Sequence, residues 1–215
     1  MRNSGPKHSP WVNRNTKEEI SMKTKILLAA AAVGLLISTQ GCTLKTQSLR
    51  IDPTVKVKES QIGNGRFIGL RVSDARADKK LGEVGDPDRK MVDVRVDEDP
   101  SAAIFNRVKE ALTKLGFQVE PYSETMVSTL DITIRDLQLQ SEKRPLTFET
   151  ELRAEVAAHV ANASEYYDRQ FSVRTRKDGA APPYKKDSTA LVNTAVSQAL
   201  EDMLADQELL AMLAR

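Results

Sequence analysis

The sequence predicts an α+β domain: a largely antiparallel sheet of about five strands, with two main helices packed on one face. Three observations predict it. Apolar and polar residues alternate over long runs in the second half, most clearly over residues 146–160. Two segments, residues 104–115 and 191–204, carry apolar residues at helical spacing instead. The strand-like runs follow one another across turn residues, and the two helical segments stand apart, so hairpins are favoured over β-α-β crossovers.

Each element follows from its residues. Residues 42–65 are polar, with Lys45, Lys56, Lys58 and Glu59, and read as a tether to a domain over residues 66–215; Val55 and Val57 could form a short edge strand. Residues 67–72 form an apolar-rich strand, and residues 73–90, with Gly82, Gly85 and Pro87, read as a loop. Val92, Val94 and Val96 alternate with Asp93, Arg95 and Asp97, the period of a half-buried strand. Asp99 at N-cap and Pro100 at N1 open a helix whose inner face is Ile104, Val108, Ala111, Leu112 and Leu115, and Gly116 ends it. Leu130, Ile132 and Ile134 alternate, and Leu137 and Leu139 resume out of phase; a bulge would restore the facing.

The longest strand signal follows. Leu146, Phe148, Thr150, Leu152, Ala154, Val156, Ala158 and Val160 share one face, and Glu149, Glu151, Arg153, Glu155 and His159 the other. A turn at residues 162–164 leads to Tyr167, Phe171 and Val173, and Asp178-Gly179 turns again. After Pro182-Pro183, Asp187 or Ser188 caps the last long helix, and residues 207–213 add a further apolar turn or two.

Composition excludes several classes. Hydrophobic residues are 40% and charged residues 29% of the 215, a globular balance. The formal charge is +2, but six bases and two acids precede Cys42, so the remainder holds 26 Lys and Arg against 28 Asp and Glu. That near-neutral remainder has no basic excess to hold a phosphate backbone, so nucleic acid is not an expected partner. One cysteine cannot close an internal disulfide.

That cysteine ends a targeting segment. From Met22, Lys23 and Lys25 give a basic n-region, and residues 26–37 an apolar run too short to span a bilayer comfortably. Ser38, Thr39, Gln40 and Gly41 lead to Cys42. The arrangement resembles the lipobox of bacterial lipoproteins, although Thr39 stands where Leu is usual and Gln40 where a small residue is preferred. The resemblance implies cleavage between Gly41 and Cys42, acylation of the Cys42 thiol (palmitate among the chains), and, with Thr43 rather than Asp following, the periplasmic face of the outer membrane. Residues 22–41 are thus expected to be a signal peptide. Residues 1–21 have no apolar period and put Glu18 and Glu19 into the n-region, so translation is expected to start at Met22.

The remainder resembles the YajG family of uncharacterised proteobacterial lipoproteins. The residues that carry this are Ile51-Asp52-Pro53-Thr54, Ile68-Gly69-Leu70-Arg71-Val72, Lys114-Leu115-Gly116-Phe117-Gln118-Val119 and Leu130-Asp131-Ile132-Thr133-Ile134, followed by the long alternating hairpin and the closing helix. The resemblance implies a location and a fold, and no reaction.

Candidate chemistry is sparse. His159 is the only histidine after Cys42, and closure at residues 162–164 would set it opposite Asp168 as a surface pair. Asp74, Asp78, Asp86 and Asp88 share a glycine-containing stretch without the spacing of an EF-hand. Lys185 and Lys186 make a basic pair that could meet lipid phosphates. No catalytic residue, metal site or cofactor is expected. The expected function is a non-enzymatic binding or scaffold module with an envelope protein partner, met through the polar face of Glu149, Glu151, Arg153 and Glu155 or through a sheet edge. The alternative is an anchored cell-wall hydrolase or ligand-binding enzyme, which would need a cleft around residues 74–97.

Overall fold

The computed structural model describes residues 46–163 and 165–215; the expected extension, signal peptide and Cys42 lie outside them. The elements are β1 (Gln47–Leu49), β2 (Phe67–Asp74), β3 (Lys80–Asp86), β4 (Lys90–Val96), α1 (Ser101–Lys114), β5 (Gln118–Pro121), β6 (Ser128–Lys143), β7 (Phe148–Asn162), β8 (Glu165–Gly179), α2 (Lys185–Leu204) and α3 (Gln207–Leu213).

All the strands join one sheet with β6 as its spine. One edge of β6 pairs antiparallel with β7, and β7 pairs antiparallel with β8. The other edge is shared end to end. β2 lies parallel to residues 129–134 and carries β5 beyond it; β3 lies parallel to residues 139–140 and carries β4 and then β1. The register of β6 against β7 shifts between Ile134 and Asp136, the bulge expected from the phase change, so Ile134 and Leu137 both face inward. That bulge lies between the stretches that pair with β2 and with β3.

The sheet differs from the expected one in size and in kind. Among the described residues it has eight strands, and four of its seven pairings are parallel, so it is mixed and not largely antiparallel. Parallel partners are brought together by tertiary packing across intervening strands and helix, and no local turn signal announces them. The expected loop over residues 73–90 contains β3. Its strand character is hidden by Gly82, which has φ +153° and on which a Cβ would sit 1.9 Å from the Leu139 carbonyl oxygen. Glycine is there because β3 and β6 approach too closely for any side chain.

The helices cover one face. Ile104, Val108 and Leu112 of α1 and Val192, Ala195, Ala199 and Met203 of α2 join the inward residues of β2, β6 and β7 in one buried cluster. Helix α1 starts one residue later than expected, with Pro100 at the cap; the Asp99 carboxylate still accepts the Ser101 N–H at 2.9 Å. Gly116, at φ +88°, supplies the left-handed turn that ends it. Tyr184, not Asp187 or Ser188, caps α2, and Asp187 reaches back from the first turn to accept the Tyr184 N–H at 3.3 Å.

Residues 46–65 are not the expected tether. Gln47–Leu49 pairs with β4, and Ile51 and Pro53 are buried. The backbone N–H groups of Asp52, Thr54 and Lys56 donate to Asn193 Oδ1, Ser197 Oγ and Glu201 Oε1 at 2.8, 2.9 and 2.8 Å. Every second residue of an extended strap thus meets every fourth residue of α2, since both steps advance about 6 Å along the helix axis. The strap then crosses the end of α1, where Ser60, Gly63 and Gly65 donate to the carbonyls of Lys114, Leu115 and Gly116.

Candidate functional site

With the helices on one face, the opposite face and the sheet's edges remain for a partner, the longest edge being β8. The register His159↔Asp168, Arg153↔Arg174 and Glu151↔Arg176 sets the outward residues of β7 beside those of β8. Glu149, Glu151, Arg153, Glu155 and His159 lie on the outer face as expected, all partly exposed.

Their charges are largely compensated within the face. Arg176 Nε donates to Glu151 at 2.6 Å and lies 3.9 Å from Glu149, which Arg144 also reaches at 3.2 Å. Arg153 donates to Glu155 at 3.1 Å, and Gln170 donates to the same carboxylate. On β2, Arg71 makes two hydrogen bonds to Asp131, at 2.8 and 2.7 Å, and lies 4.1 Å from the centre of the Tyr122 ring. Such exposed pairs add little stability each. Their consequence is that the face offers little unpaired charge. Arg174, opposite Arg153, is different: among the described residues it makes no ion pair.

β8 is the longest open edge; the terminal strands β1 and β5 have only three and four residues. Among the described residues β8 pairs with β7 only, along fifteen residues, and Phe171 is its one buried side chain. Arg169 anchors this strand to the helices by donating to Asp206, a carboxylate only 5% exposed. Asp206 also accepts from the Tyr167 hydroxyl at 3.3 Å and caps α3 through the Glu208 and Leu209 N–H groups. Sequence reading missed Asp206; its signal was the position just before an amphipathic run.

The structure places the other candidates apart. His159 Nδ1 is 2.7 Å from Asp168 Oδ1, the surface pair expected from hairpin closure, with both side chains well exposed. Asp74 binds Arg76 at the end of β2, and Asp86 and Asp88 gather Lys143 at 2.9 and 2.7 Å at the β3–β4 turn. Asp93 binds Lys80 at 2.8 Å. The Lys143 hydrogen bond holds the Asp86 carboxyl below its ordinary value, and Lys80 does the same for Asp93. Among the described residues, no three His, Cys, Asp or Glu side chains converge as a metal site. Gly41 and Cys42 lie outside the described residues.

The model of a family described as uncharacterised lipoprotein matches residues 53–214. The chain belongs to that family. The resemblance to the YajG lipoproteins is thereby supported across the folded domain, and membership places the lipoprotein among lipid-anchored envelope proteins. No curated protein matches it. Among solved structures, the lipoprotein is similar to protein XCC0632 from Xanthomonas campestris, of the family DUF330, at 12% identity and TM-score 0.45, over 75% of this chain and 92% of that one. A Helicobacter pylori protein described as a neuraminyllactose-binding hemagglutinin homolog matches at 8% identity and TM-score 0.45, over 77% and 97%. An uncharacterised protein matches at 15% identity and TM-score 0.41, over 75% and 100%.

Proposed function

We propose that this lipoprotein is held at the periplasmic face of the outer membrane by acyl chains on Cys42 and serves there as a non-enzymatic binding module for another envelope protein. The lipobox-like residues before Cys42 and Thr43 after it support the anchor and the destination. Two or more acyl chains hold a protein on a bilayer, where one chain does so only marginally.

The observation that carries the binding role is the open edge of β8, fifteen residues long. An unpaired strand edge presents a row of backbone donors and acceptors and takes up an added strand. The outer face is the weaker contact, since its carboxylates already have arginine partners. Arg174 gives the edge an unpaired positive charge, so the partner segment is an extended one with an acidic side chain near its middle.

Photo-crosslinking in cells tests this. A benzoylphenylalanine at Ser172 or Arg174 should capture one defined envelope protein, identified by mass spectrometry, and the same group at Glu151 should not. Capture from Glu151 alone would move the contact to the face. Capture from none of these positions would overturn the binding role.

A further inference from the structure

Strand β8, with fifteen residues at about 3.3 Å each, runs about 50 Å along the domain. One end is where the chain enters. Gln47 is fixed there: its side-chain amide donates to the Pro183 carbonyl at 3.1 Å and accepts from the Ser188 hydroxyl at 3.0 Å, at the start of α2. Phe148 and Gly179 face each other across β7 and β8 at the same end. The opposite end holds the Asn162↔Glu165 closure of the hairpin, where the Asn162 side chain meets the Met212 carbonyl.

The entry end has an unusual surface. Leu146, in the turn closed by the Arg144 N–H to the Thr147 carbonyl, is 91% exposed, and Tyr184 is 73% exposed. A leucine this exposed at a hairpin tip covers nothing in its own domain. Basic side chains lie at the same end: Lys143 precedes Leu146 by three residues, Lys90 lines a hollow with Phe148 and Tyr184, and Lys185 and Lys186 follow Tyr184. Lys143 and Lys177 are bound to Asp86, Asp88 and Asp187, whereas among the described residues Lys90, Lys185 and Lys186 make no ion pair. An aliphatic tip, an aromatic ring with a polar hydroxyl and lysines around them are the side chains that settle at a lipid–water boundary.

Chain length decides what meets this surface. Three residues lie between Cys42 and Thr46, and the four residue-to-residue steps reach at most roughly 14 Å. With an acyl group on Cys42, that reach is well short of the domain's length, so the entry end stays beside the headgroups. We infer that this end docks on the bilayer itself, with Leu146 and Tyr184 entering the headgroup–acyl boundary and Lys185 and Lys186 meeting lipid phosphates. The inference rests on the anchor proposed above. It adds a second membrane contact and gives the domain an orientation: the long axis stands away from the membrane and the β8 edge runs along it, open to the periplasm.

Tryptophan quenching tests it. The one natural tryptophan, Trp11, precedes the expected cleavage site, so each substitution makes a single-tryptophan mature protein. The acylated full-length product is purified from cells and reconstituted at low density into phosphatidylethanolamine–phosphatidylglycerol vesicles brominated on the acyl chains. The probes Leu146→Trp and Tyr184→Trp should shift to the blue and lose roughly half or more of their emission, since interfacial side chains sit about 5–10 Å into the boundary. The far-end probes Phe67→Trp and Tyr166→Trp should be unaffected. The pair Lys185→Glu with Lys186→Glu should reduce quenching of the Leu146→Trp probe. Intact mass separates the two claims. An acylated protein whose entry-end probes are quenched no more than the far-end ones overturns the docking alone, and a protein without acyl chains overturns both. A blue shift of the Leu146→Trp probe in detergent that disappears on dilution would assign the surface to a second copy and also overturn the docking.

Discussion

Replacing Ile51 with Ala separates a strap that belongs to the fold from a tether that merely leads to it. Ile51 is 3% exposed and belongs to the core cluster, although it lies outside the long strands and helices. Burying an isoleucine side chain stabilises by about 1.5–3 kcal/mol, and truncation to alanine leaves a cavity whose term adds to that. Helix α2 and the strap are also tied by the Asp52, Thr54 and Lys56 hydrogen bonds, so the site cannot collapse freely onto the gap. Ile51→Ala should therefore cost about 2–4 kcal/mol. Equilibrium urea unfolding of the mature domain reads this directly, with an unchanged slope showing that two-state behaviour holds. The matched control is Lys58→Ala, at an exposed strap position, which should stay within about 0.5 kcal/mol of the parent. A loss below about 0.5 kcal/mol for Ile51→Ala would show that residues 46–65 are a tether after all.

Four further substitutions check the architecture and the surface of β7. Val156→Asp puts a carboxylate at a position 1% exposed and should abolish the cooperative melt, whereas Ala157→Asp, facing outward, should cost under about 1 kcal/mol; similar losses would contradict the facing of β7. Gly82→Ala drives a methyl into the Leu139 carbonyl and should cost about 1–3 kcal/mol or more by thermal unfolding, and a neutral result would mean that β3 does not pair there. His159→Gln should leave stability within about 0.5 kcal/mol and leave crosslinking from β8 unchanged, because its one strong partner, Asp168, is an exposed surface group; lost crosslinking with normal protein levels would give His159 a role in binding.

What could be read from the sequence was whatever is fixed locally. The turn after Asn162 sets the register of β7 and β8, so the pairing of His159 with Asp168 followed from counting outward from it. The shift between Ile134 and Leu137 marked the bulge because period two leaves no other way to keep both residues inward. β3 escaped because Gly82 and the surrounding charges suppress strand propensity, and its reason for being a strand, the close approach to Leu139, lies 57 residues away. The strap escaped for a related reason. Its partners are polar side chains of a helix more than 140 residues downstream, so its own polarity looked like solvation. Parallel pairing of β6 with β2 and β3 is likewise invisible to local turns. On the functional side, the outward residues of β7 were legible from alternation, but their mutual neutralisation was not, since Arg176 meets Glu151 only through the hairpin register. Asp206 looked like one more acid before a helix, and its burial against Arg169 depends on tertiary packing.

The lipid anchor is tested most directly by metabolic labelling with an alkyne fatty acid. The parent protein should take up the label, fractionate with the outer membrane and have the mass of a chain beginning at Cys42. Cys42→Ser should lose both label and membrane association while the soluble domain still folds. Label retained by Cys42→Ser, or a parent protein that carries none, would contradict the account.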